Sequence, residues 1–441
     1  MLVLCAASLP SCAATNAAPE TLLLISVDGL RPDTILDAET HGLKVPNLRK
    51  MVRDGAFSTG VRGVLPTLTY PSHTTLLTGA APARHGILTN TTFDPYNKNQ
   101  QGWYWYAEDI KAVTLWEAAR KAGVTTASVY WPVSVGAPID WNLPQIWRTG
   151  TDDDLKLQRA LTTPGLEQEL TAKLGRYPGG EEETVAEDET RARFAIELLR
   201  TKHPRLMTVY LTGLDTQQHK TGPFSAEANA VLERLDAVVG ELRQAAEANA
   251  PGRAYVCVVS DHGFAKVEHD VNLYLAFAKA GLFSTDAAGS ITAWKAIPWS
   301  AGGAAAIMLA DGKDAATREQ VRALLAQLAG DSANGIERVL TAEELKQAEG
   351  FPGAAFYVSF RLGYELGYAR TGDLVTAPSN GGMHGYLAEH AEMHSSFFLT
   401  GPAVKQGSLG EIDMRSIAPT LAGLLRLTLP DAELGPLPVT K

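Results

Sequence analysis

Short apolar segments alternate with longer helical segments along this chain, and this alternation restricts its fold more than any other feature. Six runs have the apolar character and length of buried strands: 22–27, 125–130, 206–211, 255–260, 304–309 and 396–400. Helical periodicity occurs in five segments: 45–54, 114–122, 184–201, 225–248 and 318–329. Strands that alternate with helices predict an α/β fold, in which helices flank a doubly wound, mostly parallel sheet built from these runs.

Acidic residues follow three of these runs where each predicted strand ends. Asp28 directly follows the first run, Asp215 comes shortly after 206–211, and Asp261 directly follows 255–260. Ligands of open α/β sheets bind beyond the carboxyl ends of the strands. We therefore expect three carboxylates from distant parts of the sequence to meet on one rim of the sheet.

The length of 441 residues suits one large α/β domain with insertions. We expect this single domain to span 20–441. An aromatic, Asn-rich stretch and a region of mixed helix and strand patterns indicate inserted cap segments near 91–200 and 267–374.

Charge and composition exclude several classes of protein. The net charge is −10, and no Lys/Arg run is long enough to bind the phosphates of a nucleic-acid duplex. We therefore expect no nucleic-acid duplex among the binding partners. With 45% hydrophobic and 20% charged residues the chain is not disordered. After the N-terminal segment, no stretch approaches the roughly 18 uninterrupted apolar residues of a membrane span. Three cysteines cannot build a disulfide framework.

Residues 1–19 have the pattern of a targeting segment. A short apolar run is followed by small residues and then by a polar stretch, which predicts export, to the periplasm in a bacterial cell. The run Leu9-Pro10-Ser11-Cys12 also loosely matches a bacterial lipobox. Lipidation of Cys12, with a membrane anchor, is therefore an alternative to a freely released protein.

Three further motifs add imidazoles to the carboxylates. Asp215 and His219 are four residues apart, His262 follows Asp261, and His384 lies between glycines. Six nitrogen and oxygen donors divide into two sets of three, and three protein ligands with an open position suit a catalytic zinc ion. Without cysteine in the set, Zn²⁺ is preferred and Mn²⁺ is the alternative. A metal pair of this kind acts on phosphoryl or sulfuryl groups.

The segment 66–79 holds several hydroxyl groups at the start of a predicted helix. Amide groups at a helix N-terminus favour an anion, and a threonine alkoxide beside a metal ion is a sound nucleophile. The residue pattern alone does not decide which hydroxyl attacks.

Six motifs in order make the chain resemble the nucleotide pyrophosphatase/phosphodiesterase family of the alkaline phosphatase superfamily. They are Val-Asp-Gly-Leu-Arg at 27–31, Pro-Thr-Leu-Thr-Tyr-Pro-Ser-His at 66–73, His-Gly-Ile at 85–87 followed by Asn90, Asp-x-x-x-His-x-x-Gly-Pro at 215–223, Ser-Asp-His-Gly at 260–263 and Gly-Met-His-Gly-Tyr at 382–386. The resemblance implies an alkaline phosphatase-like fold and a zinc-dependent phosphodiesterase or nucleotide pyrophosphatase.

The resemblance also implies roles for individual residues. Thr69 would be the nucleophile that forms a phospho-threonine intermediate, and Asn90 would donate to a phosphate oxygen. One zinc ion would be held by Asp28, Thr69, Asp261 and His262, and the other by Asp215, His219 and His384. The chain departs from the family at Ser72, where Asn is common, and at Gly213-Leu214, where acidic residues often stand.

Charge favours a diester substrate. Two Zn²⁺ ions against three carboxylates and one alkoxide leave the site formally near zero, which suits a monoanionic diester. A dianionic monoester calls for extra cations such as an arginine clamp. Arg148 and Lys156 are candidates, but they flank a run of three aspartates. Tyr70, Trp103 and Trp105 are candidates to stack on a nucleobase, with packing of the cap as their alternative role.

Other functions are less compatible with the sequence. A phosphomonoesterase uses the same scaffold and is the nearest alternative. A phosphonate hydrolase such as phosphonoacetate hydrolase requires lysines that have no evident place here, and a silent metal-binding protein would not need every ligand and nucleophile position filled. Type I sulfatases use a Cys/Ser-x-Pro-x-Arg motif, which does not surround Thr69. His73, His85, His269 and Met383 are expected to support either the structure or the residues that bind the metal ions.

Overall fold

The computed structural model describes residues 20–100, 102–181 and 183–440. The predicted targeting segment at 1–19, with Cys12, lies outside the described residues. Within the described part of the chain, no helix combines the length and apolar character needed to cross a membrane.

Twenty strands and fourteen α-helices occur in the described residues. The strands are β1 (Thr21–Val27), β2 (Ala56–Phe57), β3 (Gly60–Arg62), β4 (Thr126–Val129), β5 (Trp141–Leu143), β6 (Leu206–Leu211), β7 (Ala254–Val259), β8 (Ala265–Val271), β9 (Phe283–Thr285), β10 (Ile291–Trp294), β11 (Ala296–Ser300), β12 (Ala304–Leu309), β13 (Ile336–Thr341), β14 (Phe356–Phe360), β15 (Gly363–Leu366), β16 (Val375–Thr376), β17 (Gly382–Met383), β18 (Phe397–Thr400), β19 (Gly407–Ser408) and β20 (Glu411–Asp413). The helices are α1 (Asp33–Leu36), α2 (Pro46–Asp54), α3 (Thr69–Thr78), α4 (Pro82–His85), α5 (Leu115–Lys121), α6 (Asp153–Leu161), α7 (Leu166–Leu174), α8 (Val185–Lys202), α9 (Gly213–Thr221), α10 (Ala226–Asn249), α11 (Leu273–Lys279), α12 (Ala315–Ala329), α13 (Ala342–Gln347) and α14 (Ile417–Leu424).

An eight-stranded sheet forms the centre of the molecule, in the order β19-β2-β18-β7-β1-β6-β4-β5. Within this sheet, the five adjacent strands β7, β1, β6, β4 and β5 are all parallel to their neighbours. Strand β18 pairs antiparallel with both β7 and β2. Strand β1 lies between β6 and β7, with Val27 paired to Leu211 and Ser26 paired to Val259. The predicted fold class, a mostly parallel α/β sheet, is confirmed.

Two of the six predicted parallel strands differ in direction or sheet. The run at 396–400 forms β18, which is antiparallel. The run at 304–309 forms β12, in a separate antiparallel sheet of order β11-β12-β14-β13. Both strands are largely buried, and β12 separates two apolar clusters. A strand covered on both faces is apolar throughout whatever its direction, so apolar character alone could not distinguish these cases.

The helices match the predicted helical segments closely, and three of them, α5, α10 and α12, begin with a side-chain cap. Thr114 and Glu117 form a capping box at the start of α5, and the Ser225 side chain accepts a hydrogen bond from the Ala228 amide at the start of α10. Helix α10 packs against α8 and α2, and α3 packs against α5 and α14.

The two predicted cap segments differ in their relation to the central sheet. Residues 91–200 supply β4 and β5 to this sheet, so that part of the range belongs to the sheet itself. Residues 267–374 contain the antiparallel sheet β11-β12-β14-β13 and most of a small sheet around β8. A separate apolar cluster fills this second region.

Candidate active site

The carboxyl ends of three neighbouring strands carry the acidic residues that the sequence singles out. Asp28 follows β1 and its amide donates to the Leu211 carbonyl at 2.9 Å, which extends the pairing with β6. Asp261 follows β7, and Asp215 lies in the first turn of α9, which begins just after β6. Since β6, β1 and β7 are adjacent, the three carboxylates lie on one rim of the sheet.

Asp28, Asp261 and His262 form a first buried group. The Nε2 atom of His262 lies 3.3 Å from Asp28 Oδ1 and 3.2 Å from Asp261 Oδ2. The backbone amide of Gly29 donates to Asp261 Oδ1 at 3.2 Å, in a turn where Gly29 has φ +67°. The ligand atoms of the three side chains lie within 4.8 Å of one another, close enough to share one cation.

A second group surrounds Asp215. Its carboxylate lies 3.4 Å from His219 Nε2 and 3.7 Å from His384 Nε2. Asp215, His262 and His384 also have ligand atoms within 4.8 Å of one another, and the rings of His262 and His384 stack at 3.6 Å. His262 therefore lies between the two groups, whereas the family resemblance assigns it to the first.

Each imidazole is oriented by a hydrogen bond from its second nitrogen. The Nδ1 atoms donate to backbone carbonyls at 3.0 Å: His262 to Gly263, His219 to Gly382 and His384 to Thr67. Burial lowers the pKa of all three rings, that of His219 to about 4. In the neutral rings the Nε2 lone pair is then directed toward the carboxylates. Metal-binding histidines have the same arrangement, with the other ring nitrogen donating to a protein oxygen.

Several acceptor atoms in the site lack donors. Asp28 Oδ1, Asp215 Oδ1 and Asp261 Oδ2 are buried and have no hydrogen-bond partner among the described residues. Burial and the neighbouring carboxylates raise the pKa of Asp28 and Asp215 well above the usual range. Carboxylate and imidazole lone pairs that face one another are satisfied by cations. The residues therefore fit metal ions, and an N/O donor set without cysteine suits zinc.

Thr69 lies beside the first group. It is the first residue of α3, and its hydroxyl oxygen is 3.3 Å from His262 Nε2 and 3.5 Å from the Asn90 side-chain nitrogen. The Tyr70 amide donates to Asn90 Oδ1 at 2.9 Å, which turns the Asn90 NH2 group toward Thr69. A hydroxyl, an amide donor and metal-type ligands thus converge on one point.

Two further side chains, Tyr210 and His73, contact the candidate ligands, and the sequence did not indicate the role of Tyr210. The Tyr210 hydroxyl, from β6, donates to Asp28 Oδ2. His73, expected to support either the structure or the candidate ligands, has Nδ1 2.8 Å from the Thr69 carbonyl and 3.5 Å from Asp261. Tyr210 lies inside a fully buried apolar strand, where a tyrosine is indistinguishable from an ordinary core residue. For His73 the available signal was its spacing, one helical turn after Thr69.

The aromatic candidates for substrate stacking form one cluster. Tyr70 packs against Trp103 and Trp105 at ring distances of 5.2 and 6.2 Å, and Trp147 packs against both tryptophans. Tyr70 and Trp105 are enclosed, and the Tyr70 hydroxyl donates to Gln145 at 2.8 Å. Because enclosed rings have no free face, the stacking predicted for Tyr70 and Trp105 is not available in this arrangement. Trp103 and Trp147 are half-buried.

Arg148 and Lys156, the two candidates for a cationic clamp on a monoester, contact groups other than the candidate metal ligands. Arg148 is exposed and donates to the Asn99 carbonyl at 3.1 Å, while Lys156 pairs with Asp153 at 2.6 Å. The ion-pair partners described for Asp28, Asp215 and Asp261 are histidines.

Comparison with known proteins identifies relatives for most of the chain. A family model described as type I phosphodiesterase / nucleotide pyrophosphatase matches residues 22–391. Ectonucleotide pyrophosphatase/phosphodiesterase family member 1 of Homo sapiens is 27% identical over 275 residues, covering 60% of this chain and 26% of that protein. Venom phosphodiesterase of Macrovipera lebetinus is 25% identical over 421 residues, covering 89% of this chain and 42% of that protein. The chain thus spans about a quarter of the human relative's length.

Solved structures show the same fold. An inactive form of murine ectonucleotide pyrophosphatase/phosphodiesterase 5, in complex with AMP, has a TM-score of 0.66 and 21% sequence identity, and the match covers 93% of this chain and 96% of that one. The human counterpart gives the same TM-score and identity.

Proposed function

The chain belongs to the type I phosphodiesterase / nucleotide pyrophosphatase family, and from this premise we propose that it hydrolyses phosphodiester or pyrophosphate bonds of small nucleotide-like substrates. The observation that carries the proposal is the position of the Thr69 hydroxyl. It lies within 3.5 Å of both His262 Nε2 and the Asn90 amide, beside carboxylate oxygens without donors.

Thr69 is the proposed nucleophile. Its hydroxyl releases its proton and the oxygen attacks the phosphorus atom. The bond to the leaving oxygen breaks, the leaving oxygen keeps the electron pair and takes up a proton from solvent, and the phosphoryl group with its remaining substituent is held on Thr69. Water then hydrolyses the phospho-threonine and restores the hydroxyl. As the first residue of α3, Thr69 holds the transferred group near the amide groups of a helix N-terminus, which favours an anion there.

Asn90 is the proposed donor to a non-bridging phosphate oxygen. Its side-chain oxygen is already bonded to the Tyr70 amide and its backbone carbonyl accepts from the Tyr104 amide at 3.0 Å. The NH2 group therefore needs no reorganisation when charge develops on the phosphoryl oxygens.

Two Zn²⁺ ions are the proposed cofactors. The residues that would hold them are Asp28, Thr69, Asp261 and His262 for one ion and Asp215, His219 and His384 for the other. When bound, the ions would supply positive charge to the phosphoryl oxygens and lower the pKa of the attacking hydroxyl and water.

A diester is the proposed substrate class because the cations that a monoester needs are directed away from the site. Arg148 and Lys156 are bonded to other groups, and the carboxylates face histidines. The half-buried rings of Trp103 and Trp147 offer a surface for a planar base.

The test is a comparison of kcat/KM for three substrates on the zinc-loaded full chain: p-nitrophenyl thymidine monophosphate, bis-p-nitrophenyl phosphate and p-nitrophenyl phosphate. We expect kcat/KM for the thymidine diester to exceed that for the monoester by orders of magnitude. We expect Thr69→Ala to be inactive. Thr74→Ala is the matched control, because among the described residues the Thr74 hydroxyl donates to its own helix alone, at the Tyr70 carbonyl. A higher kcat/KM for the monoester than for the diesters would contradict the proposal and indicate an alkaline phosphatase activity.

A further inference from the structure

The first turn of α9 is held by a carboxylate from another helix. Asp188, on α8, accepts hydrogen bonds from the backbone amides of Thr212 at 3.1 Å and Gly213 at 2.7 Å. Thr212 precedes α9 and does not cap it with its own side chain. The first amides of a helix lack partners within the helix, so Asp188 supplies what the local sequence does not.

The two helices approach so closely that a side chain at position 213 has no room. A Cβ atom on Gly213 would lie 2.6 Å from the Val185 amide nitrogen and 3.0 Å from Asp188 Oδ2. This close approach explains why position 213 is a glycine. The negative charge next to the start of α9 comes from Asp188 on α8.

Asp188 is itself fixed by a buried partner. Arg191 lies one turn further along α8 and its guanidinium is 3.3 Å from the Asp188 carboxylate. The same guanidinium stacks 3.6 Å from the Tyr130 ring, and the side chains of Asp188 and Arg191 are both fully buried. A buried acid with a charged partner and two amide donors has one well-defined position.

We propose that Asp188 is a positioning residue for the metal set of Asp215, His219 and His384. It fixes the start of α9, which carries Asp215 at its third residue and His219 at its seventh, so that both side chains point to the same centre. This inference rests on the metal pair of the proposed function. Residues that orient metal ligands without touching the metal typically change affinity about 10- to 100-fold when they are replaced.

The test uses two matched variants of the full chain, Asp188→Asn and Asp236→Asn. Asp236 is also buried and also binds the start of a helix, accepting from the Leu48 amide at 2.7 Å and the Asn47 amide at 3.0 Å. That helix, α2, carries none of the proposed ligands. Zinc is titrated into each metal-free protein by calorimetry or against a chromophoric chelator, and thermal unfolding is followed without metal.

We expect both variants to lose thermal stability without metal, but only Asp188→Asn to bind one of its two zinc ions about 10- to 100-fold more weakly. Its kcat/KM should recover as zinc is raised. Equal zinc binding by the two variants, with wild type binding two ions, would overturn this inference alone. Absence of zinc binding by the wild type would overturn the proposed function, and this inference with it.

Gly213→Ala provides a second route if Asp188→Asn folds poorly. The added methyl group pushes α9 away from Val185 and Asp188 while both hydrogen-bonding residues remain. The same selective loss of zinc affinity is expected, and unchanged binding of both ions contradicts the positioning role.

Discussion

At the scale of single residues, the environment of the Thr69 oxygen determines what the site can do. Asn90 contributes an amide donor that is already oriented by the Tyr70 amide. We expect Asn90→Ala to lower kcat on a diester by about 10²- to 10³-fold, because such a donor acts on charge that develops in the transition state. Steady-state kinetics on the zinc-loaded protein measure this.

The control for Asn90 is Asn334→Ala, which removes an amide bonded to the Leu328 carbonyl in a distant surface turn. A large rise in KM with unchanged kcat in Asn90→Ala would instead make Asn90 a ground-state binding residue.

Tyr210 supports a second prediction at this scale. Its hydroxyl donates to Asp28, and without it the buried carboxylate loses an orienting partner. Tyr210→Phe should therefore weaken zinc binding and lower kcat/KM by about 10- to 100-fold, measured by zinc titration and kinetics. Tyr357→Phe is the control, since the buried Tyr357 hydroxyl has no hydrogen-bond partner among the described residues. Equal zinc affinity and equal kcat/KM in the two variants would contradict a role for Tyr210 in orienting Asp28.

At the scale of elements, the segment that leads to His384 is anchored by buried acids. Asn380 donates to both Glu365 oxygens at 3.1 Å, and the Ser379 amide donates to Asp270 at 3.0 Å. Burial raises the pKa of Glu365 from its usual 4.5 to about 7, Asp270 adds to this rise, and Asn380 opposes it. The phenols of Tyr368 and Tyr386 are also titratable groups near Glu365.

The sign of the pH effect follows from this shift. Between about pH 4.5 and 7 the folded state holds a proton on Glu365 that the unfolded state has lost, so stability falls as pH rises over this range and levels off above about pH 7. Above about pH 7 the folded protein must hold an ionised, buried Glu365 carboxylate, which costs free energy, and Glu365→Gln removes this cost. We expect it to be more stable than wild type by about 1–3 kcal/mol at pH 8 and nearly equal to it at pH 5.

Denaturant unfolding at the two pH values measures this difference, with the exposed Glu343→Gln as control. A Glu365→Gln variant that is equally destabilised at both pH values would show that the carboxylate is needed in ionised form.

The elements were largely predictable because their local signals agree with the fold. The pattern at 45–54 became α2, which begins with Pro46, and that at 225–248 became α10, which Ser225 caps, since such signals and periodicity act within a few residues. The direction of β12 and β18 was not predictable, because it depends on how the connections run. The contact of α8 with α9 was not predictable either, since nothing in the sequence near Asp188 marks its partner.

At the scale of the whole molecule, metal removal should affect more than activity. The proposed ligands come from β1, α3, α9, the end of β7 and the segment after β17, so bound ions would connect most parts of the chain. Ligands that bind only the folded state add about 2.7 kcal/mol of stability at a concentration of 100 times Kd. We expect a chelator to lower the thermal midpoint of unfolding, as well as to abolish hydrolysis.

Calorimetry with and without zinc measures this change, and restoring zinc should reverse it. An unchanged midpoint, together with full retention of activity in chelator, would contradict the metal pair.

The hydrogen bond from His384 to the Thr67 carbonyl closes a loop of 317 residues. Contacts so distant in sequence form late, because the entropy of closing the loop must be offset by structure already in place. Thr69, the proposed nucleophile, therefore acquires its full surroundings only after the chain has been synthesised and folded as far as His384. We expect chains that end before His384 to be catalytically inert, so that the proposed activity depends on two segments more than 300 residues apart.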